Sequence, residues 1–178
     1  YNTIVKSSNV LILMWFDKGL AKLVTKIIPQ KEDDSTFMLK HIKTGLMSTP
    51  EASLFQAKEE IALFGRTTRE MFQKVVAAYD MKASEYEKAF DKFTRDEDAS
   101  DDLEVQIADY LAQVSESRLA TDSSKRVRSM FRMVSEIESV ADSALNLAKA
   151  FKRRNEAGVV MPEECTAKLK AYFAMVDN

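Results

Sequence analysis

The sequence contains almost none of the residues that form disulfides and zinc sites. Its 178 residues include one cysteine, Cys165, and one histidine, His41. A single cysteine excludes an internal disulfide framework and suits a reducing compartment. A zinc site made of histidine and cysteine needs four such ligands, which this chain cannot supply. Any metal ion would therefore have to be held by carboxylates.

Glycine and proline, which interrupt regular structure, are also scarce. The chain has 4 glycines and 3 prolines, whereas the two together average about 12% of residues. Few interruptions mean long helices, and no segment of useful length alternates apolar and polar residues as a strand does. Hydrophobic residues make up 46% and charged residues 30%, a balance typical of a folded protein. The sequence therefore predicts an all-α fold, an up-and-down bundle of long antiparallel helices.

The motifs of common enzymes and of nucleic-acid-binding proteins are missing as well. There is no glycine-rich phosphate loop, no Gly-x-Ser-x-Gly elbow and no serine, histidine and aspartate set. The Glu-x-x-His pairs of di-iron carboxylate enzymes are absent, although a carboxylate-bridged metal enzyme stays open as a third alternative. The net charge of −2 lacks the basic balance that supports binding to nucleic acid. We expect neither an enzyme nor a nucleic-acid partner.

Residues 1–29 contain the most hydrophobic stretch, NVLILMWF at 9–16. An amphipathic pattern follows, in which a lysine recurs every fourth residue: Lys18, Lys22 and Lys26. The segment is either a helix packed on the main domain or the cytoplasmic end of a membrane segment followed by a helix at the membrane surface. Because the first residue is Tyr1 rather than methionine, we expect a processed or excised piece of a longer protein. Residues 30–48 are predicted to be a linker.

The bundle itself is predicted over residues 49–157. A hydroxyl, a proline and an acid at Thr49-Pro50-Glu51 are typical of a helix start. Helical spacing continues from there to about Phe93, with a kink expected near Gly65. A second helix is predicted over 96–117, an acidic stretch without lysine or arginine.

The third helix carries the most regular apolar pattern of the chain. Its predicted start is the cap cluster Thr121-Asp122-Ser123, and Gly158 is its predicted end. Apolar residues between these points are spaced at intervals of three and four: Val127, Phe131, Val134, Ile137, Ala141, Ala144, Ala148 and Phe151. This spacing is close to a heptad pattern and is typical of antiparallel packing in a bundle. Residues 159–178 are predicted to begin a further, truncated helix.

Acidic side chains lie beside the apolar stripes of the second and third helices. On the second helix these are Glu97, Asp101 and Glu104. On the third they are Glu138 and Asp142, with the amide Asn146 one turn beyond. Like charges at i, i+4 cost an isolated helix a few tenths of a kcal/mol, so their presence requires an explanation.

Antiparallel pairing about a tight loop at 117–121 would bring the two acidic pairs to similar heights, near one end of the bundle. Carboxylates and an amide converging there would suit a hard cation or an iron cluster with oxygen ligands. The alternative is a solvated acidic face with Arg128 and Arg132 as ion-pair partners. Spacing alone favours the solvated face, because runs of charge on helices are usually solvated.

Two segments, DDLEVQIADYL (101–111) and RVRSMFRMVSEIESVADSALNLAKAF (126–151), resemble the PhoU family of phosphate-regulatory helical proteins. The pattern E-x-x-x-D-x-L-E of one family helix is matched from Glu97 to Glu104, and E-x-x-G-D-x-x-x-N of the next from Glu138 to Asn146. The resemblance implies a three-helix repeat over 49–157, flanked by N-terminal and C-terminal helices. It also implies that the acids bind iron or another divalent metal. This chain departs from the second pattern: Ala141 replaces glycine, and Ser143 and Leu145 stand where polar or ionisable residues are usual.

The flanking segments resemble a narrower group. STPEASLFQAKEEIALFG (48–65) is similar to the start of the PhoU-like domain attached to bacterial type II sodium/phosphate cotransporters, and residues 1–29 are similar to the last membrane region of such a transporter. This resemblance implies a non-catalytic regulatory domain on the cytoplasmic side of the bacterial inner membrane. Its partners would be the transporter's membrane domain and, near residues 1–28, the membrane surface; a homo-oligomer stays open. The alternatives are a stand-alone helical interaction module and a phosphate-regulatory metal-binding protein.

Overall fold

The computed structural model describes residues 37–42, 49–117 and 119–177, so the predicted helix at 1–29 lies outside the described residues. These residues form helices joined by short turns and contain no strand, which confirms the all-α prediction. In chain order the helices are α1 (Pro50–Ala77), α2 (Ala83–Ser115), α3 (Thr121–Glu156) and α4 (Glu163–Val176). None of them combines the length and the hydrophobicity that crossing a membrane requires.

Two helix ends follow clear local signals in the sequence. Thr49 caps α1, because its Oγ1 accepts a hydrogen bond from the backbone N–H of Ala52 at 3.3 Å, and Pro50 is the first helical residue. Gly158 ends α3 with a φ of +62°, the left-handed conformation that glycine adopts without steric cost. The predicted cap cluster at 121–123 is wrong: α3 begins at Thr121 after Ala120, and no side chain caps it.

The first helix is shorter than predicted. It passes through Gly65 without interruption and ends at Ala77, where a single 3₁₀ turn, Ala78–Asp80, leads into an extended connection before α2. Neither glycine nor proline marks this break. Tyr79 within this turn and Tyr86 in the first turn of α2 are both buried, so the break lets both rings enter the core. Packing overrides a local pattern that would allow one continuous helix.

A core of apolar side chains from the first three helices holds the bundle together. In α3 the buried positions include three alanines, Ala141, Ala144 and Ala148, each at most 1% exposed. Of the eight predicted stripe residues of α3, Phe131 and Ile137 are only partly buried, and the other six are buried. Small side chains at the middle of the stripe allow the neighbouring helices to approach α3 closely.

The last helix, α4, packs on α1 and α3 through one aromatic ring. Phe173 contacts Phe72 and Phe151 edge to face, with ring centroids 6.4 and 6.0 Å apart. Ion pairs hold α4 at its middle and at its C-terminal end: Lys170 Nζ lies 2.6 Å from Asp80, and Arg69 Nε lies 2.9 Å from Asp177. The further helix predicted after residue 158 is therefore present in the structure and packs against α1 and α3.

Part of the predicted linker is packed as well. Residues 37–42 have no regular secondary structure, yet Phe37 and Ile42 are 4% and 5% exposed and belong to the core. The ring of Phe37 meets that of Phe64 edge to face, with centroids 5.9 Å apart. These residues therefore lie against α1 as a short strap.

Candidate functional site

The acidic side chains predicted from the sequence face one another across α2 and α3. We call this set the acidic seam; its carboxylates are Glu97, Asp101, Glu104, Glu138 and Asp142. Asp142 is close enough to Asp101 to raise the pKa of Asp101, and Glu104 and Asp101 are both close enough to Glu138 to raise the pKa of Glu138. The seam lies near the middle of both helices rather than near one end of the bundle. The difference arises because α2 begins at Ala83, thirteen residues earlier than the predicted 96.

Burial and mutual repulsion raise the pKa values of three seam carboxyls above their ordinary range. For Glu97, the larger cause is desolvation, followed by the charges of Asp101 and Asp98, while Lys149 partly offsets the increase in pKa. The pKa of Asp101 is raised by desolvation, then by Asp98 and by Asp142 on the opposite helix. Each of these carboxylates is thus harder to ionise in the folded protein than in an unfolded chain.

The pKa of Glu138 on α3 is raised by the same two causes, desolvation and neighbouring negative charge. Desolvation raises its pKa first, followed by the charges of Glu104 and Asp101 across the seam and of Asp142 on its own helix. A weak hydrogen bond from Ser139 lowers it slightly. Acids from both helices therefore contribute to one local concentration of negative charge.

Within the part of the chain that the structure describes, no basic side chain pairs directly with these carboxylates. Among the residues that the structure describes, no lysine or arginine lies within 4.0 Å of a seam carboxylate. Arg132, one of the two predicted ion-pair partners, instead pairs with Glu136 at 3.6 Å, and Arg128 makes no such contact. The amide of Asn146 donates a hydrogen bond to Asp142 at 3.2 Å. The prediction that Arg128 and Arg132 pair with the seam carboxylates is therefore wrong, while a solvated acidic face stays open as the alternative to a metal site.

The donor types suit a hard cation, but the side chains do not converge on one point. Within the described part of the chain, no three aspartate, glutamate, histidine or cysteine side chains come together closely enough to hold a metal ion. Carboxylate oxygens are the ligands that such cations prefer, so the chemistry fits while the arrangement shown does not form a ligand set. Ala141, which replaces the glycine of the family pattern, is fully buried in the helix interface, and no coordination geometry follows from these positions.

A buried acid of α1 was not predicted from the sequence. Glu60 of α1 is 0% exposed, and its carboxylate accepts hydrogen bonds from the backbone N–H groups of Lys40, His41 and Ile42. Its position in the sequence could have predicted its burial, since Glu60 falls between Ala57 and Phe64 on the apolar face of α1. An acid at such a position requires strong hydrogen-bond donors around it.

A comparison with known protein families identifies the bundle. The sequence model of the PhoU domain family matches residues 61–151, a little over half of the chain. The chain therefore belongs to the PhoU family, as the acidic motifs of α2 and α3 predicted. No curated protein and no solved structure matches it significantly. The matched region includes the whole acidic seam and leaves residues 1–29 outside.

Proposed function

We propose that this member of the PhoU family is a non-catalytic regulatory domain that modulates phosphate uptake by a sodium-dependent transporter on the cytoplasmic side of the bacterial inner membrane. The observation that carries the proposal is the family match over residues 61–151, since this family is associated with the regulation of phosphate transport. Attachment to a transporter is supported by the resemblance of 48–65 and of 1–29 to cotransporter segments. The partners proposed are the transporter's membrane domain and the membrane surface.

The acidic seam gives the bundle a physical means of responding to its surroundings. Carboxylates on α2 and α3 repel one another where the two helices pack, so any cation that collects between them favours close packing of the helices. Protonation of the carboxylates also favours close packing of α2 and α3, because it removes the repelling charges. We propose that a hard divalent cation, iron or another metal, is the natural counterion, with Glu97, Asp101, Glu138 and Asp142 as its ligands and Glu104 and Asn146 in outer positions. A bound cation would supply positive charge at this interface, and the packing of α2 against α3 would transmit the change to the partner.

The transporter part of the proposal is tested by the coding sequence upstream of residue 1 and by phosphate uptake. We expect a run of apolar spans upstream, and a soluble start at or near residue 1 would overturn the attachment in favour of a stand-alone helical module. In the full-length protein, an Asp101→Asn/Asp142→Asn variant should change the uptake of radiolabelled phosphate at an unchanged amount of transporter. An Asp109→Asn variant, which alters an exposed acid of α2 outside the seam, is the control.

The metal part is tested separately by the metal content of protein purified without chelators. Wild-type protein should retain a divalent metal, and a Glu138→Ala/Asp142→Ala variant should lose it. Asp122→Ala/Glu136→Ala removes two exposed acids of the same helix and should retain the metal. Equal and negligible metal in all three proteins would show that the seam is surface charge and that regulation does not use a resident ion.

A further inference from the structure

We propose that residues 37–42 are a strap which the Glu60 carboxylate locks onto α1, and that the strap opens and closes as one unit while the helical bundle stays folded. A closed strap shortens the chain that leads into the bundle, and an open strap lengthens it. Contacts among the described residues hold the strap closed, whichever partner the domain regulates.

Three consecutive backbone N–H groups of the strap donate hydrogen bonds to one side chain, the carboxylate of Glu60. The N–H of Lys40 lies 3.0 Å from both carboxylate oxygens of Glu60, and the N–H of Ile42 lies 3.2 Å from Oε2. The N–H of His41 between them donates to the same Oε2. A single side-chain substitution therefore removes the hydrogen-bond acceptor of half the strap.

The carboxylate depends on the strap as much as the strap depends on it. Glu60 is completely buried, and no lysine or arginine of the described residues forms an ion pair with it. Its negative charge is held by the three backbone N–H groups, which is a strong form of charge-assisted hydrogen bond. If the strap left, water would have to replace all three donors at once. Loss of one of these hydrogen bonds exposes the carboxylate to water and so weakens the other two. The three hydrogen bonds therefore break together, in a single step.

Apolar contacts at its two ends complete the strap. Phe37 at one end and Ile42 at the other are buried, whereas Lys40 and His41 between them are exposed. The strap thus rests on two anchors with the Glu60 lock beside the second. The three long helices contact one another beneath it through their own side chains, so the opening of the strap removes none of the contacts between α2 and α3.

The consequence is a tether with two lengths. Six residues released from the surface of the bundle extend by about 20 Å when fully stretched. Opening of the strap therefore adds this length to the segment that leads into the bundle. Segments of low local stability that open without global unfolding are common at regulatory positions in proteins.

Hydrogen exchange of the complete chain tests this inference, with Glu60→Gln and Glu60→Ala as the perturbations. Glutamine keeps the size of the side chain but directs N–H groups toward three N–H donors, so the backbone amides of Lys40, His41 and Ile42 should exchange at least about tenfold faster. Amides in the middle of α2 and α3 should keep their wild-type protection. Glu59→Gln, at the neighbouring, partly exposed position, should leave the strap amides unchanged.

Two results would overturn the proposal. Wild-type protection of the strap amides in both Glu60 variants would show that the apolar ends hold the strap without the carboxylate. Equal loss of protection in the strap and throughout the helices would show that Glu60 supports the whole fold and that the strap has no opening of its own.

Discussion

In protein treated with a chelator to remove any bound metal, replacement of Asp101 by asparagine should raise stability at pH 7, although it removes a charged residue from a folded surface. Asp101, like Asp142, contributes to the raised pKa values of both Glu97 and Glu138. Asparagine has nearly the same shape and a similar helix propensity, so the change removes the negative charge with little other disturbance.

The size of the effect follows from the repelling neighbours. A like-charge pair one helical turn apart, such as Glu97 and Asp101, costs about 0.2–0.5 kcal/mol. Exposed pairs between elements, such as Asp101 with Asp142, are each worth about 0.2–1 kcal/mol before screening. Because Asp101 is exposed, solvent screens much of this energy, and we expect a gain of about 0.5–1 kcal/mol at low salt. For a protein of this size the melting temperature should rise by about 1–4 °C.

The dependence on pH and on salt separates repulsion from other causes. The folded-state pKa of Asp101 is raised, so folding is most favourable when this carboxyl is protonated, below its ordinary pKa of about 3.9. This contribution to the free energy of unfolding is lost as the pH rises through the raised pKa of the folded state. Above that pKa, the charged Asp101 destabilises the wild-type protein most. The gain from asparagine should therefore be largest at pH 7, and it should shrink both toward pH 3 and in about 1 M salt, where the screening length falls to about 3 Å.

Thermal unfolding of wild type, Asp101→Asn and Asp109→Asn at both pH values and both salt concentrations is the assay. Asp109 is an exposed acid of α2 outside the seam, and its substitution should change the melting temperature much less. The reasoning is refuted if Asp101→Asn lowers stability, if it matches Asp109→Asn, or if its gain is unchanged in high salt. Any of these results would show that the seam carboxylates do not repel one another in the folded protein.

Two further substitutions test the packing and the turn that place the seam. Tyr86→Phe should cost about 1 kcal/mol, because the buried hydroxyl donates a hydrogen bond to the carbonyl of Ala148 at 2.8 Å; chemical denaturation would measure this loss, and Tyr172→Phe at an exposed position should cost nothing. Gly158→Ala should cost about 1–2 kcal/mol, because its φ of +62° disfavours a side chain although no atom lies within 4 Å of the added Cβ. Gly158→Asn should lose less, and equal losses in the two variants would contradict a backbone origin.

Local signals in the sequence were sufficient for most of the fold. Thr49 and Pro50 predicted the start of α1, and Gly158 predicted the end of α3, because each acts through its own backbone and its immediate neighbours. The break at 78–82 could not be predicted in this way. It depends on the burial of Tyr79 and Tyr86, and such contacts between distant residues are absent from any short window of sequence.

The same limitation applied to the candidate site. The spacing of Glu97 with Asp101 and of Glu138 with Asp142 predicted that the two pairs would meet, since antiparallel helices fix their relative heights. Their position along the bundle was wrong because it depended on where α2 begins. The role of Glu60 also went unrecognised, because its three donors come from a strap about twenty residues away in the sequence.

The two groups of carboxylates in this bundle handle negative charge in opposite ways, and the contrast indicates where regulation acts. Glu60 is buried but fully supplied with donors, so its charge contributes to a closed, well-defined contact. The seam carboxylates are partly exposed, lack basic partners among the described residues, and repel one another across α2 and α3. Sequences that specify one structure rarely keep an uncompensated local conflict of this kind unless a function requires it. A cation or a proton would compensate the negative charge of the seam. The Glu60 carboxylate, in contrast, has its hydrogen-bond donors as long as the strap is closed. We therefore expect ions to act on the packing of α2 against α3, and mechanical or partner-driven release to act on the strap.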